Sequence, residues 1–200
     1  MTANPLTSEG PTTRPSNRRA LILDAAIGLF REGGYPATSV DDIGKAVDVS
    51  GPAIYRHFSS KEEILLEAIR LAADEVHAAN GEARNSTADP RTLLAAYIRA
   101  YVACALDRSA LIAVWTTEAR HLSSERRSPM TRRLRSWSNE WVEALTATRP
   151  ELSTEQARVL VGGAIGLITS LATNDDGSLG RAQLSGMITA MALATLDTPF

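Results

Sequence analysis

Cysteine is almost absent: the 200 residues hold one, Cys104. A lone thiol closes no disulfide within the chain, and without a cysteine cluster there is no sulfur-based zinc site. Histidine is scarce as well, with His57, His77 and His121 scattered at no metal-ligand spacing. No nucleophile elbow is present, and Gly162-Gly163-Ala164-Ile165-Gly166 follows no strand, so it is no phosphate loop. These absences argue against an enzyme, a metal centre and a resident cofactor. Charge of either sign is not in excess: 21 Lys and Arg stand against 23 Asp and Glu, net -2. That excludes a chain basic throughout, but not a local basic surface. The longest apolar stretch, Val159 to Ala172, is interrupted by glycines and polar residues and reads as too short to span a bilayer. Met1 to Arg19 lacks the apolar core of a signal peptide. The expectation is a cytoplasmic protein without membrane contact.

What is present is helical periodicity. Met1 to Pro15 is Pro and Thr rich and reads as a disordered arm. From Ser16 on, apolar pairs recur at helical spacing: Leu21/Ile22, Ala25/Ala26, Leu29/Phe30, with Gly33-Gly34 as the stop. Thr38 or Ser39 caps a second helix with Val40, Ile43, Ala46 and Val47 inside, and Asp41 and Asp42 on the favourable end of its dipole. Asp48-Val49-Ser50 is a turn, and Gly51-Pro52 opens a third helix with Ile54 and Phe58 inward. Ser60 caps a fourth helix running to about Ala79, and Asn80 to Pro90 has loop composition. Further helical patterns cover Arg91–Asp107, Ala110–Leu122, Arg127–Thr148, Glu155–Asn174 and a last helix ending at Leu196. No segment alternates like a strand, so the fold class is all-α with about nine helices. The expected division is an arm over 1–15, a helix-turn-helix unit over 16–61 and a helical domain over 62–200.

The helix-turn-helix carries the chemistry. Seven cations lie between Arg14 and Lys61 against five anions, a mild local excess. A recognition helix presents small groups to base edges and larger ones to flanking phosphates. Gly51, Pro52 and Ala53 are small; Tyr55 and His57 lie away from Ile54 and Phe58 and are expected to be exposed, and Arg56 is a candidate for sequence specificity. Lys61 is a phosphate candidate at the next helix start, and Thr38 and Ser39 offer hydroxyls. Arg18 and Arg19 read as a basic arm reaching an adjacent groove, or as a solvated stretch.

Thr38-Ser39-Val40-Asp41-Asp42-Ile43, then Val49-Ser50, then Ile54-Tyr55-Arg56-His57-Phe58, then Ser60-Lys61-Glu62 with Leu65, closely resembles the DNA-binding domain of the tetracycline-repressor (TetR) family. The detailed likeness runs from Arg18 to Ile69. It implies a three-helix DNA-binding domain, a helical ligand domain, and a homodimer on a palindromic operator in double-stranded DNA. It carries DNA contact to Thr38, Ser39, Gly51, Ala53, Tyr55, His57 and Lys61. Asp48 departs from the family's usual turn glycine.

In the remaining chain Tyr97, Tyr101, Cys104, Trp115, Trp137 and Trp141 read either as the lining of an effector cavity or as plain core, with Glu118 and His121 as candidates to orient a polar ligand head. The Arg126-Arg127, Arg132-Arg133, Arg135 run suits an anionic ligand such as a coenzyme A thioester, or a solvated face. Gly162, Gly163, Gly166 and Ser170, with Gly186, Ala190 and Ala194, give two helices small-residue faces suited to close approach in a dimer interface, or to packing within the chain. The function expected is a ligand-responsive repressor released by a small apolar or amphipathic effector. The alternative is a helical DNA-binding or interaction module without an effector.

Overall fold

A computed structural model describes residues 15–87 and 89–199, with side chains from residue 18 onward. Nine α-helices are present among the described residues, and no strand: α1 (Pro15–Gly33), α2 (Val40–Ala46), α3 (Gly51–Ile54), α4 (Lys61–Ser86), α5 (Pro90–Asp107), α6 (Ser109–Glu118), α7 (Ser124–Thr148), α8 (Thr154–Thr173) and α9 (Arg181–Leu196). One 3-10 turn, Ala119–His121, follows α6. The expected N-terminal arm lies outside the described residues except for Pro15, where α1 begins.

Local signals set the boundaries. Ser39 and Asp42 form a reciprocal capping box on α2, and Ser153 and Gln156 do the same on α8. Ser60 accepts the Glu63 amide at the start of α4, and Asp89 accepts that of Thr92 at α5. Gly34 takes the left-handed conformation (φ 79°) that ends α1. Asp48 is the one non-glycine residue with positive φ among those described, at 55°. An L side chain there costs about 1 kcal/mol, less for Asp than for most residues. Asp48→Gly is therefore expected to raise the denaturant midpoint slightly, and Asp48→Val to lower it.

Three expectations are corrected. Asn80 does not open a loop: α4 continues to Ser86, because the buried Asn80 side chain accepts the Trp141 indole N–H (3.1 Å) and donates to Glu140 (3.3 Å), which holds the helix against α7. Ala46 and Leu21, expected inside, are exposed. The apolar stretch reaches beyond Val159 to Ala172: the whole of α8, Thr154–Thr173, is at 20 residues long and apolar enough by length and composition to cross a bilayer. One face of it, Ala157, Leu160, Val161, Ala164, Ile168 and Ala172, is buried in contact with α5, α7 and α9.

The core runs continuously through both units. Ile22, Ala26 and Phe30 of α1 meet Ile43, Ile54 and Phe58, and α4 joins this cluster to the larger bundle through Ile64, Leu65, Ile69 and Val76. α5 lies at the centre of the bundle, touching α4, α6, α7, α8 and α9. α1 also rests on α6, so the small unit is docked on the large one rather than tethered.

Candidate nucleic-acid interface

The outer face of the helix-turn-helix is built by what is tied beneath it. Gly44 of α2 is buried, and a Cβ there would stand 2.7 Å from the Val49 carbonyl oxygen and 3.2 Å from the Gly51 nitrogen. The turn backbone crosses directly over this glycine. Gly51 is buried as well, and a methyl on it would land on the Asp41 carboxylate. Gly51 thus keeps α2 and α3 closely packed while it lines the outer groove with Pro52 and Tyr55. Gly44 was not singled out in the sequence; only the crossing of the two backbones reveals it.

α3 is helical only from Gly51 to Ile54 and then loosens into a turn, with the His57 and Phe58 amides both donating to the Ile54 carbonyl (2.9 and 3.1 Å). Pro52, Tyr55 and Arg56 are exposed, Tyr55 by 55%, and Ala53 and His57 are half-buried. Ser39 is exposed at the head of α2, its hydroxyl bonded to Asp42 (2.6 Å). A shallow groove links Ser39 and Val40 to Pro52, Tyr55 and Lys61.

Four candidates turn inward instead. The Thr38 hydroxyl is buried and donates to the carbonyls of Leu29 (3.2 Å) and Gly34 (3.0 Å), closing the loop after α1. The Lys61 ammonium donates to the carbonyls of Tyr35 and Thr38, both at 2.8 Å, and sits 4.3 Å from the Tyr35 ring centre. Arg18 donates to the Val47 carbonyl (3.2 Å) at the end of α2. Arg19 donates to the His57 carbonyl, lies 3.9 Å over the Phe58 ring and pairs with Glu67 at 3.6 Å. Each cation replaces an orphan helix-end contact or spans two helices, so Arg18 and Arg19 brace the unit rather than form a free arm.

The carboxylates at the start of α4 are held charged. Glu63 lies below the ordinary glutamate range because the Ser59 hydroxyl and amide donate to it (both 2.5 Å). Glu62 is lowered by the Ser123 amide (2.9 Å). A folded-state pKa below the unfolded one gives stability that is present above the unfolded value and lost as pH falls through the folded value. Stability is thus expected to decline below about pH 4.3, more shallowly in a Glu62→Gln/Glu63→Gln variant, as urea midpoints at stepped pH would show.

The second domain brings together only part of the expected effector site. Tyr97 and Trp141 stack (6.1 Å, 6°), Tyr101 meets Trp137 at 4.9 Å, and Trp137 meets Trp141 edge-on at 5.5 Å. The Tyr101 hydroxyl bonds Thr169 (2.7 Å), and burial pushes its pKa up to about 12. Trp137 keeps a buried indole N–H with no acceptor. Trp115 is buried in α6 apart from this cluster. Cys104 faces a cleft of about 520 Å³ between α4 and α5, its thiol raised to about 11 by burial. Glu118 and His121 lie at the junction with the helix-turn-helix, where Glu118 accepts the Tyr35 N–H (3.2 Å) and the His121 ring stacks on Tyr35. Of the arginine run, Arg126 pairs with Glu62 and Arg133 with Asp74. Arg127, Arg132 and Arg135 are exposed.

All seven small residues expected at an interface are exposed: Gly162, Gly163, Gly166 and Ser170 on α8, and Gly186, Ala190 and Ala194 on α9. Val159, Met187 and Met191 lie beside them, exposed by 71, 47 and 45%. A Cβ on Gly162, Gly166 or Gly186 would meet nothing within 4 Å, so packing within the chain does not explain these glycines.

Residues 22–68 match the family described as bacterial regulatory proteins, tetR family, and residues 87–196 match the tetracyclin repressor-like C-terminal domain. The chain is 35% identical over 117 residues to the HTH-type transcriptional repressor KstR2 of Rhodococcus jostii, which is 58% of this chain and 57% of that protein. It thus spans less than two thirds of that curated relative. The structure of the ketosteroid transcriptional regulator KstR2 of Mycobacterium tuberculosis superposes with a TM-score of 0.78 at 25% identity, covering 88% of this chain and 93% of that one. AibR, crystallised in complex with isovaleryl coenzyme A and operator DNA, superposes with a TM-score of 0.76 over 87% of this chain and 97% of that one; at 21% identity this shows the fold alone.

Proposed function

The chain belongs to the TetR family of DNA-binding transcriptional regulators, and from that premise we propose that it is a cytoplasmic repressor that binds a palindromic operator as a homodimer and leaves it when a small effector binds. The observation that carries this reading is the outward face of α2 and α3, where Ser39, Pro52, Tyr55 and Arg56 stand exposed while Thr38 and Lys61 are tied to the loop beneath. Tyr55 and His57 suit phosphates, while Arg56, Pro52 and Ala53 reach toward bases. Few side chains read sequence directly, so DNA shape contributes to specificity.

The open α8–α9 face supports dimerisation. Pairing it with a second copy buries Val159, Met187 and Met191 and gives the helical glycines a reason. Two helix-turn-helix units then meet successive major grooves. The effector site is in the bundle: the unsatisfied Trp137 N–H among aromatic rings favours a small, largely apolar molecule with one acceptor. Binding need only favour the subunit arrangement that mismatches the operator. α4, which starts at Lys61 and reaches Ser86, is common to both units and transmits the shift.

A band-shift titration on the DNA upstream of its own gene tests the reading. Binding that survives excess unrelated DNA and falls with salt is expected. Affinity indifferent to both sequence and salt would contradict it.

A further inference from the structure

Three buried polar side chains occur among the described residues, and one, Glu118, is a carboxylate. It sits in the last turn of α6, where the helix dipole opposes negative charge and burial removes water. Its own helix gives it no reason to be there. Besides its chain neighbours Thr117 and His121, it has one distant partner. Oε2 accepts the backbone N–H of Tyr35 (3.2 Å), 83 residues away in the loop between α1 and α2, and lies 3.4 Å from His121 Nε2. Oε1 accepts the Thr117 hydroxyl (3.0 Å). The His121 ring stacks on Tyr35 at 5.5 Å and 25°. The same loop gives its Tyr35 and Thr38 carbonyls to Lys61, the first residue of α4. A return contact runs the other way: Glu62 accepts the Ser123 N–H (2.9 Å), and Arg126 lies 3.7 Å from its other oxygen.

We propose that Glu118 is a positioning residue that locks the helix-turn-helix to the end of α6 and so fixes the angle at which the recognition surface is presented. The proposal rests on the operator-binding reading above. The loop it holds enters α2 through the Ser39 cap, and Lys61 ties that loop to α4. Without the carboxylate, the small unit samples several orientations, and only a fraction fits the operator. Apparent affinity falls by that fraction. The phosphate contacts of the bound state are unchanged, so the salt dependence keeps its slope. A side chain that itself touched phosphate would instead lower the slope by about 0.9.

The test uses the full chain carrying Glu118→Ala or Glu118→Gln. Spin labels at Lys45→Cys and Arg132→Cys in a Cys104→Ser background, diluted with unlabelled protein, report the distance between the two units. Glu118→Ala is expected to broaden that distance distribution and to weaken operator binding about tenfold at an unchanged salt slope. Glu118→Gln, whose amide oxygen still accepts the Tyr35 N–H, restores most of both. His121→Ala, which removes only the stacked ring, reproduces the Glu118→Ala pattern at smaller size and serves if Glu118→Ala does not fold. A narrow distribution in the Glu118→Ala and His121→Ala variants, or a reduced salt slope, would overturn the proposal. The distance measurement needs no DNA: a wild-type chain that ignores the upstream DNA would refute the operator reading, while the widths still judge the lock.

Discussion

Gly44→Ala is expected to weaken operator binding about ten- to a hundredfold while leaving the bundle and its oligomeric state unchanged. The added methyl would press on the Val49 carbonyl oxygen at 2.7 Å, with the Gly51 nitrogen and the Ser50 carbonyl carbon at 3.2 and 3.3 Å. All three are backbone atoms of the turn and cannot rotate aside. The same turn is closed by the Val49 amide donating to the Gly44 carbonyl (2.9 Å), so relief requires α2 and α3 to separate. Overpacking of this kind costs about 1–3 kcal/mol, and every 1.4 kcal/mol that falls on the bound geometry is about tenfold in affinity. Gly51→Ala is the useful contrast. Its methyl collides more severely, yet with the Asp41 carboxylate, an exposed group that can turn away. The smaller loss is therefore expected at Gly51. Band shifts with size-exclusion light scattering check both; wild-type affinity in Gly44→Ala would show that the α2–α3 angle does not govern binding.

Gly166→Arg is expected to yield a folded monomer that has lost the operator. Nothing lies within 4 Å of a Cβ at this position, so the lone chain accepts the side chain and gains about 1 kcal/mol in helix propensity. In a dimer joined through α8 and α9, the guanidinium would enter a seam of Gly162, Gly163, Met187 and Ala190 and would lose its water without a partner. Separating the subunits removes the second half-site and with it an avidity of about 10²-fold or more. Scattering mass and band shifts measure the two effects together. A Gly166→Arg protein that keeps the wild-type mass would place the interface elsewhere.

Much of this architecture was legible in the sequence. Apolar spacing along α4 and α5 named the residues that are buried, because a helix with one wet face writes its period into the chain. Caps at Ser39 and Ser60 marked helix starts that the structure shares. The exposed Tyr55 followed from its register against Ile54 and Phe58. What the sequence did not reveal depends on contacts distant along the chain. Lys61, Thr38, Arg18 and Arg19 look like free polar groups until the loops that receive them are brought close. Asn80 reads as a loop residue until Trp141 supplies its partner. Glu118 reads as a ligand group because nothing near it in sequence suggests Tyr35. The resemblance to the family rested on residues before Ile69, and the bundle beyond it showed only helical pattern, since packing constrains apolar character more than identity.

In the proposed dimer, two copies of the α2–α3 face read one symmetric site. Hydroxyl-radical footprinting of the upstream DNA measures this directly. Two protected half-sites related by a twofold axis, centred about one helical turn or a multiple apart, and both lost in Gly166→Arg, are the predicted result. Protection of a single half-site by the wild-type protein, or a footprint unchanged in Gly166→Arg, would contradict it.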